Sequence, residues 1–572
     1  MSFLVGLWLA LVLAPSAPAG LEGAERVTLT VLATTDVHGH VWPYDYLRGQ
    51  EAERGLAKVS TYVQRVRRRQ PNTLLLDCGD TFQGTPLAYL YAEKHPREPH
   101  PVVAAMNAVG YDAMAVGNHE FNFGLHALWR MKEQARFPIL GANIVSTYHD
   151  PLRDFKPYLL RTVGGVRVAI LGMVTPSIPR WDPPQHHVGY EFRDLVETAR
   201  RYAPELRRQA DVVLLIVHSG LGRDPSAPLG AGPETFEPRE ELYPEEDRVW
   251  EIAEQVPELD AIIFGHSHRE LAGKTVNGVL LVQPKNWAQS VAELEFVLAP
   301  GESGGWQVVE KRSRLVVMDA SVPADQKILD LTRAAHQRTE RYLNTVVAEL
   351  DLELDARSAR LEDHPLVELI QRTQLQYGRA DVSLAALFST RTRWQPGPIT
   401  VRDVYSLYFY ENQLFTVEVT GAQLREALEY SARSFKTYPW PEGASPFSDV
   451  PGYNFDMAEG VSYQIDLSRP PGERIVNLEF QGAPLAPDQK LRLALNSYRW
   501  SGGGAYEMLR HARIVHRNER QVRELLLNYL LEQGKVPTEV DHNWEIIPAE
   551  ARQALLDYVS PPAPAVAGTS KN

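Results

Sequence analysis

Residues 259–268 read "LDAIIFGHSH": four successive apolar residues, a glycine, then two histidines two positions apart. A run without polar alternation is a strand for a sheet covered on both faces. Its end carries the chemistry, because α/β sheets gather ligands outside the carboxyl ends of their strands. The pattern recurs upstream. "VTLTVLATTD" (27–36) leads into Asp36 and His38, and "NTLLLDCGD" (72–80) ends on Asp80. "DAMAVGN" (112–118) delivers Asn118 and His119, and "DVVLLIVHSG" (211–220) carries His218. In extended backbone, residues two apart share a side, so Asp36 with His38, and His266 with His268, are expected to point together.

Helical patterns such as "GLAKVSTYVQRVRRR" (55–69) and "PVVAAMNAVG" (101–110) separate these strands, which implies a layered α/β domain over about residues 25–320. Residues 321–345 read as one amphipathic connecting helix and hinge. A second, α+β domain is expected over 346–555, then a disordered tail over 556–572. Residues 221–247, rich in Pro, Gly and Glu, read as a surface loop. The basic run 65–69 reads as a solvated helix face. His186 and His187, in a Pro-rich stretch away from any strand end, read as solvated too.

A chain of 572 residues, 44% of them hydrophobic, exceeds one core and suits two domains. Its net charge of -13 argues against a nucleic-acid polymer as partner. Residues 1–20, an apolar run followed by "APA", predict a signal peptide cleaved near Ala19 and a soluble, periplasmic or secreted protein, expected as a monomer. Cys78 is the only cysteine, so no internal disulfide can form, and its setting suits a small buried residue.

Asp36, His38, Asp80, Asn118, His218, His266 and His268, with His119 as a further candidate, are more donors than one tetrahedral ion needs. A mixed nitrogen and oxygen set with one carboxylate able to bridge fits two divalent cations, with Zn, Mn and Fe all compatible. Such ions would also let an acidic chain bind an anionic substrate.

The ordered set DxH, GD, GNHE, H, GHSH resembles the calcineurin-like metallophosphoesterases, and the downstream half resembles the 5′-nucleotidase C-terminal domain. The resemblance implies a four-layer α/β/β/α catalytic domain followed by a smaller α+β nucleotide-binding domain. It implies that Asp36, His38 and His268 hold one metal, that Asn118, His218 and His266 hold the other, and that Asp80 bridges them. His119 is implied as the catalytic histidine facing the leaving group. Tyr410 in "YENQL" and Tyr498 in "NSYRWSGGG" match the two rings that stack the base. Asn412 matches a base-contacting residue, and Arg391, in poorly matching surroundings, a phosphate-binding one.

Two departures bear on substrate. The motif "GNHEFN" has Asn122 where the 5′-nucleotidase branch has Asp, so the amide can orient His119 but cannot supply charge. Position 268 is His where the 5′-nucleotidase and UDP-sugar hydrolase branch often has Gln. Both favour a small-molecule nucleotide phosphohydrolase of the 2′,3′-cyclic-nucleotide 2′-phosphodiesterase/3′-nucleotidase kind. A 5′-nucleotidase or UDP-sugar hydrolase is the alternative. A thiosulfohydrolase needs no base clamp, and a dead nucleotide-binding protein would have lost ligands. Glu120 reads as a turn residue or one that supports the ligands from behind, rather than as a catalyst.

Overall fold

The computed structural model describes residues 26–148, 150, 153–222, 245–301 and 304–559. The expected signal segment, nearly all of the 221–247 loop and the tail beyond Val559 lie outside them. No helix among the described residues is long and apolar enough to cross a membrane.

The first region is built on two six-stranded sheets. In chain order its strands are β1 (Val27–Thr34), β2 (Thr73–Asp77), β3 (Ala113–Ala115), β4 (Ile139–Leu140), β5 (Tyr158–Val163), β6 (Val166–Val174), β7 (Val212–His218), β8 (Ala261–Phe264), β9 (Leu271–Val276), β10 (Val279–Gln283), β11 (Ser290–Pro300) and β12 (Trp306–Val317). One sheet runs β12-β11-β1-β2-β3-β4 and the other β9-β10-β8-β7-β6-β5. The central strands β1 to β4 are mutually parallel, as are β6, β7, β8 and β10.

The apolar runs have no polar face because both faces are covered. Leu29, Val31, Leu74 and Leu76 of the first sheet share a buried cluster with Ile170, Leu214, Ile216 and Ile263 of the second. The opposite face of the first sheet, with Leu32, Leu75 and Met114, packs on α1 (Leu56–Arg69) and α2 (Pro101–Val109). The outer face of the second, with Leu171, Val213 and Ile262, packs on α3 (Leu195–Gln209). This is the four-layer α/β/β/α order, with parallel strand ends from both sheets opening on one site. Within the basic run, Arg67 is not simply solvated. It donates to the carbonyls of Val109 at 2.8 Å and Gly110 at 2.7 Å, satisfying the last turn of α2.

The helix α4 (Gln326–Leu343) follows, capped by Asp325, which accepts the backbone N–H of Lys327 at 2.9 Å and the hydroxyl of Ser60 at 2.6 Å. Trp42 stacks on His336 of this helix at 3.9 Å. Beyond it, a sheet of order β15-β13-β16-β14-β17 forms from β13 (Val382–Ala386), β14 (Gln413–Thr420), β15 (Asp456–Glu459), β16 (Lys490–Asn496) and β17 (Ile514–Gln521). Strands β14 and β16 are antiparallel with Leu414 opposite Asn496. The turn before β14 and the segment after β16 therefore meet at one end of the sheet. Residues 556–559, expected in the disordered tail, complete a helix, Ala549–Val559, whose Leu555 is buried.

Candidate metal centre

His218 is the last residue of β7, but at the other candidate ligands the strands stop first. β1 ends at Thr34, and Asp36 and His38 stand on left-handed backbone, with φ 48 and 47. Asp80 (φ 57), His266 (φ 74) and His268 (φ 57) do the same. Tight left-handed turns, not pleated strands, therefore place these side chains: Asp36 and His38 do share one donor group, whereas His266 and His268, expected to point together, go to different ones. Each such residue costs about 1–3 kcal/mol, a cost tolerated where surrounding structure overdetermines the turn. Glycines permit that packing. A Cβ on Gly79 would lie 2.6 Å from the Gly117 nitrogen, and one on Gly265 would lie 1.9 Å from Thr35 Oγ1.

Two donor groups result. Candidate ligand atoms of Asp36, His38 and His268 lie within 4.8 Å of one another, as do those of Asp80, His218 and His266. In the first group, His38 donates Nδ1–H to the Gln83 carbonyl at 3.1 Å. Its Nε2 is 3.0 Å from His268 Nε2, which is 3.4 Å from Asp36 Oδ1. Burial, followed by the His268 charge, pushes the His38 imidazole down to about 3, so it offers a neutral lone pair.

In the second group, His218 donates Nδ1–H to the Cys78 carbonyl at 2.8 Å. That leaves Nε2, fully buried, facing Asp80 Oδ2 at 2.8 Å. Two lone pairs at this distance need a proton or a cation between them. Burial opposes a proton here, and the Asp80 charge overrides it, raising the imidazole to about 10. A divalent ion satisfies the same geometry, so the donor set fits a metal. His266 places Nδ1 3.0 Å from Asn118 Oδ1 and Nε2 2.9 Å from Glu246 Oε1. Asn118 thus reaches the second group through His266.

His119 stands beside both groups. Its backbone N–H donates to Asp80 Oδ1 at 2.8 Å, and its Nε2 is 3.9 Å from Asp80 Oδ2. Its Nδ1 is 2.5 Å from Asn122 Oδ1. Behind the amide is a carboxylate: Asn122 Nδ2 donates to Asp182 Oδ1 at 2.9 Å. Negative charge excluded at position 122 is thus present one residue further out. His186 and His187, expected to be solvated, are half-buried, with His186 Nδ1 3.6 Å from Asp182 Oδ1, because their loop folds back onto the site. Cys78 is fully buried and its thiol faces the Ile263 carbonyl at 3.3 Å.

In the second region, Tyr410 is exposed and meets Phe388 edge-on at 4.8 Å. Tyr498, half-buried, lies over Gly503, where a Cβ would sit 2.4 Å from its ring, which accounts for one glycine of "SGGG". Gln413 N donates to Ser497 Oγ at 3.1 Å, tying the two ring-bearing segments together. The Asn412 carbonyl accepts the Val522 N–H at 2.8 Å. Arg391 is exposed, and its backbone N–H donates to Ser389 Oγ at 3.2 Å; no contact places it in the metal centre.

The regions join at the site. Gln83, whose carbonyl holds His38, donates its side-chain amide to Glu411, next to Tyr410. The other Glu411 oxygen accepts from Arg523 at 3.3 Å, and both of these side chains are buried. Sequence reasoning missed Gln83, Asp182, Glu246 and Glu411. For Gln83 the signal was its place in "GDTFQG"; for the others no local pattern exists.

A model of the calcineurin-like phosphoesterases matches residues 29–270, and one of the 5′-nucleotidase C-terminal domain matches residues 345–511. A trifunctional nucleotide phosphoesterase protein of Bacillus subtilis is 29% identical over 95% of this chain, which spans 40% of that relative's length. A 2′,3′-cyclic-nucleotide 2′-phosphodiesterase/3′-nucleotidase of Salmonella typhimurium is 29% identical over 94% of this chain and 91% of the relative. A Staphylococcus aureus structure, described as a candidate 5′-nucleotidase in complex with alpha-ketoglutarate, superposes with a TM-score of 0.77 at 28% identity, covering 91% of this chain and 99% of that one. The chain belongs to the calcineurin-like phosphoesterases that carry a 5′-nucleotidase C-terminal domain, and it is a metal-dependent phosphoric ester hydrolase.

Proposed function

We propose that the protein opens 2′,3′-cyclic nucleotides at the 2′ ester and removes phosphate from 3′-nucleotides, leaving nucleoside and phosphate. The carrying observation is the Gln83–Glu411 contact, which joins the loop holding His38 to the turn presenting Tyr410. That contact supports a substrate whose phosphate would lie at the metal centre and whose base would lie at the tyrosines. The activity named for the Salmonella relative supports this choice of ester. The description of the Staphylococcus structure favours the second reading, a 5′-nucleotidase.

In our assignment Asp36, His38 and His268 would hold one divalent cation and Asn118, His218 and His266 a second, with Asp80 able to serve both; Zn, Mn and Fe all suit these donors. Bound there, the ions would supply an activated water and neutralise the phosphate oxygens. The chain does the rest. Glu246 orients His266 through Nε2, and Cys78 and Gln83 orient His218 and His38 through their carbonyls. His119, held as Nδ1–H by Asn122, takes up a proton from solvent on Nε2 and, as the imidazolium, passes it to the departing ribose oxygen, returning to the neutral Nδ1–H form. Tyr410 and Tyr498 stack the base, with Asn412 beside them and Arg391 toward phosphate. We assign catalysis to residues 25–320, the hinge to 321–345 and base binding to 346–555, in a secreted or periplasmic monomer.

A panel of 2′,3′-cyclic AMP, 3′-AMP, 5′-AMP and a UDP-sugar, assayed with Zn, Mn or Fe added, tests the reading. Turnover of the first two supports it. Turnover of 5′-AMP alone would replace it with the 5′-nucleotidase reading.

A further inference from the structure

Asp182 lies just after the short helix Ile178–Trp181, in the segment that follows β6, and is 4% exposed. Its Oδ1 accepts from Asn122 Nδ2 at 2.9 Å and stands 3.6 Å from His186 Nδ1. A carboxylate without a proton can only accept, so the amide of Asn122 must turn its NH2 toward Asp182. Its oxygen must then face His119 Nδ1, 2.5 Å away. An amide oxygen also only accepts, so Nδ1 must carry the hydrogen. The tautomer is thereby decided two residues away, and Nε2 is left on the side of Asp80. Without a carboxylate at 182 the amide could rotate by half a turn, present NH2 to Nδ1 and invert the tautomer. The fold lays two segments together for this contact: the loop after β3, and the segment after β6, which carries both Asp182 and His186.

We propose that Asp182 is a positioning residue that sets the orientation of Asn122 and, through it, the tautomer of His119. The consequence for catalysis rests on the role given above to His119; the tautomer itself does not. Asp182→Asn leaves two amides in contact and removes the constraint. Asn122→Asp sets two carboxylates against each other. Asn122→Asp combined with Asp182→Asn returns a carboxylate to Nδ1 with an amide behind it, so Nδ1 is again an obligatory donor.

The test has two arms on the full chain. In the first, nitrogen-15 spectra of histidine-labelled, metal-free protein read the His119 ring, assigned by its loss in His119→Gln. The parent and the double variant are expected as the Nδ1–H tautomer, and Asp182→Asn as a mixture or the Nε2–H form. In the second, kcat of metal-loaded Asp182→Asn on 3′-AMP is expected to fall about 10–100-fold with KM within about twofold, and the double variant to recover most of the loss. The loss should shrink on p-nitrophenyl phosphate, whose leaving group needs no proton. An unchanged tautomer in Asp182→Asn, or a double variant no better than Asp182→Asn, would overturn the proposal. If the first arm holds while 3′-AMP is not turned over by the parent, the substrate reading fails and the positioning role stands.

Discussion

Glu120 Oε2 accepts the backbone N–H of Asp80 at 2.9 Å, although both carboxylates are buried and repel each other. The same side chain takes the N–H groups of Gly117 at 2.6 Å, Thr81 at 2.7 Å and Phe82 at 3.1 Å. One carboxylate therefore clamps the two loops that carry Asp80 and Asn118. Glu120→Gln turns an NH2 against at least one of these donors. It should cost about 2–4 kcal/mol of stability, read by denaturant unfolding of the metal-free protein. Unfolding superimposable on the parent would remove the clamp.

Metal binding should be coupled to stability through His218 and Asp80. Their facing lone pairs make the metal-free site dependent on a proton, whereas a bound ion stabilises by about 2.7 kcal/mol at a hundred times its Kd. Chelation should lower Tm and readdition of Zn or Mn should restore it. His218→Ala should lower the metal content measured by elemental analysis of the purified protein. Equal content in variant and parent would take His218 out of the ligand set.

The contact between Gln83 and Glu411 predicts a substrate-selective defect. Gln83→Ala keeps the carbonyl that holds His38 but loses the link to the Tyr410 turn. KM for nucleotides should rise about tenfold, the equivalent of about 1.4 kcal/mol, while p-nitrophenyl phosphate, which has no base, is turned over as before. Tyr498→Ala should show the same selectivity, with about 1–3 kcal/mol lost from stacking. Equal loss on both substrates would place the damage in the metal centre instead.

A pH effect on stability follows from Glu459. Burial, and then the charge of Glu368, raises it to about 8 from an ordinary 4.5. Between those values the folded chain holds a proton that the unfolded chain has released. The stabilisation is complete below about pH 4.5 and is lost as pH rises through 8. Glu459→Gln should flatten the fall in Tm between about pH 5 and pH 9, measured with chelator present. Parallel curves for variant and parent would mean the carboxylates do not interact.

The layers and the places where chemistry gathers were legible because burial on both faces leaves strands such as 212–217 apolar throughout, and the chain turns polar at or shortly after the ends of those that feed the site. The local path was not. Asp36 and His38 looked like a pleated pair, yet left-handed turns place them, since strand β1 has already ended. Glu246, Asp182 and Glu411 were illegible for a different reason. Glu246 and Asp182 act across a sequence separation on residues that the motifs did name, Glu411 acts on Gln83, which they did not, and no periodicity encodes such contacts. His186 misled because a Pro-rich stretch suggests solvent, whereas here it folds back onto Asp182.

The central claim, hydrolysis of the 2′ ester followed by loss of the 3′ phosphate, is tested most directly by a product time course from 2′,3′-cyclic AMP with the metal-loaded protein. The account predicts 3′-AMP as a transient, then adenosine and phosphate, with no 2′-AMP. Accumulation of 2′-AMP, or no turnover of the cyclic ester while 5′-AMP is hydrolysed, would contradict it.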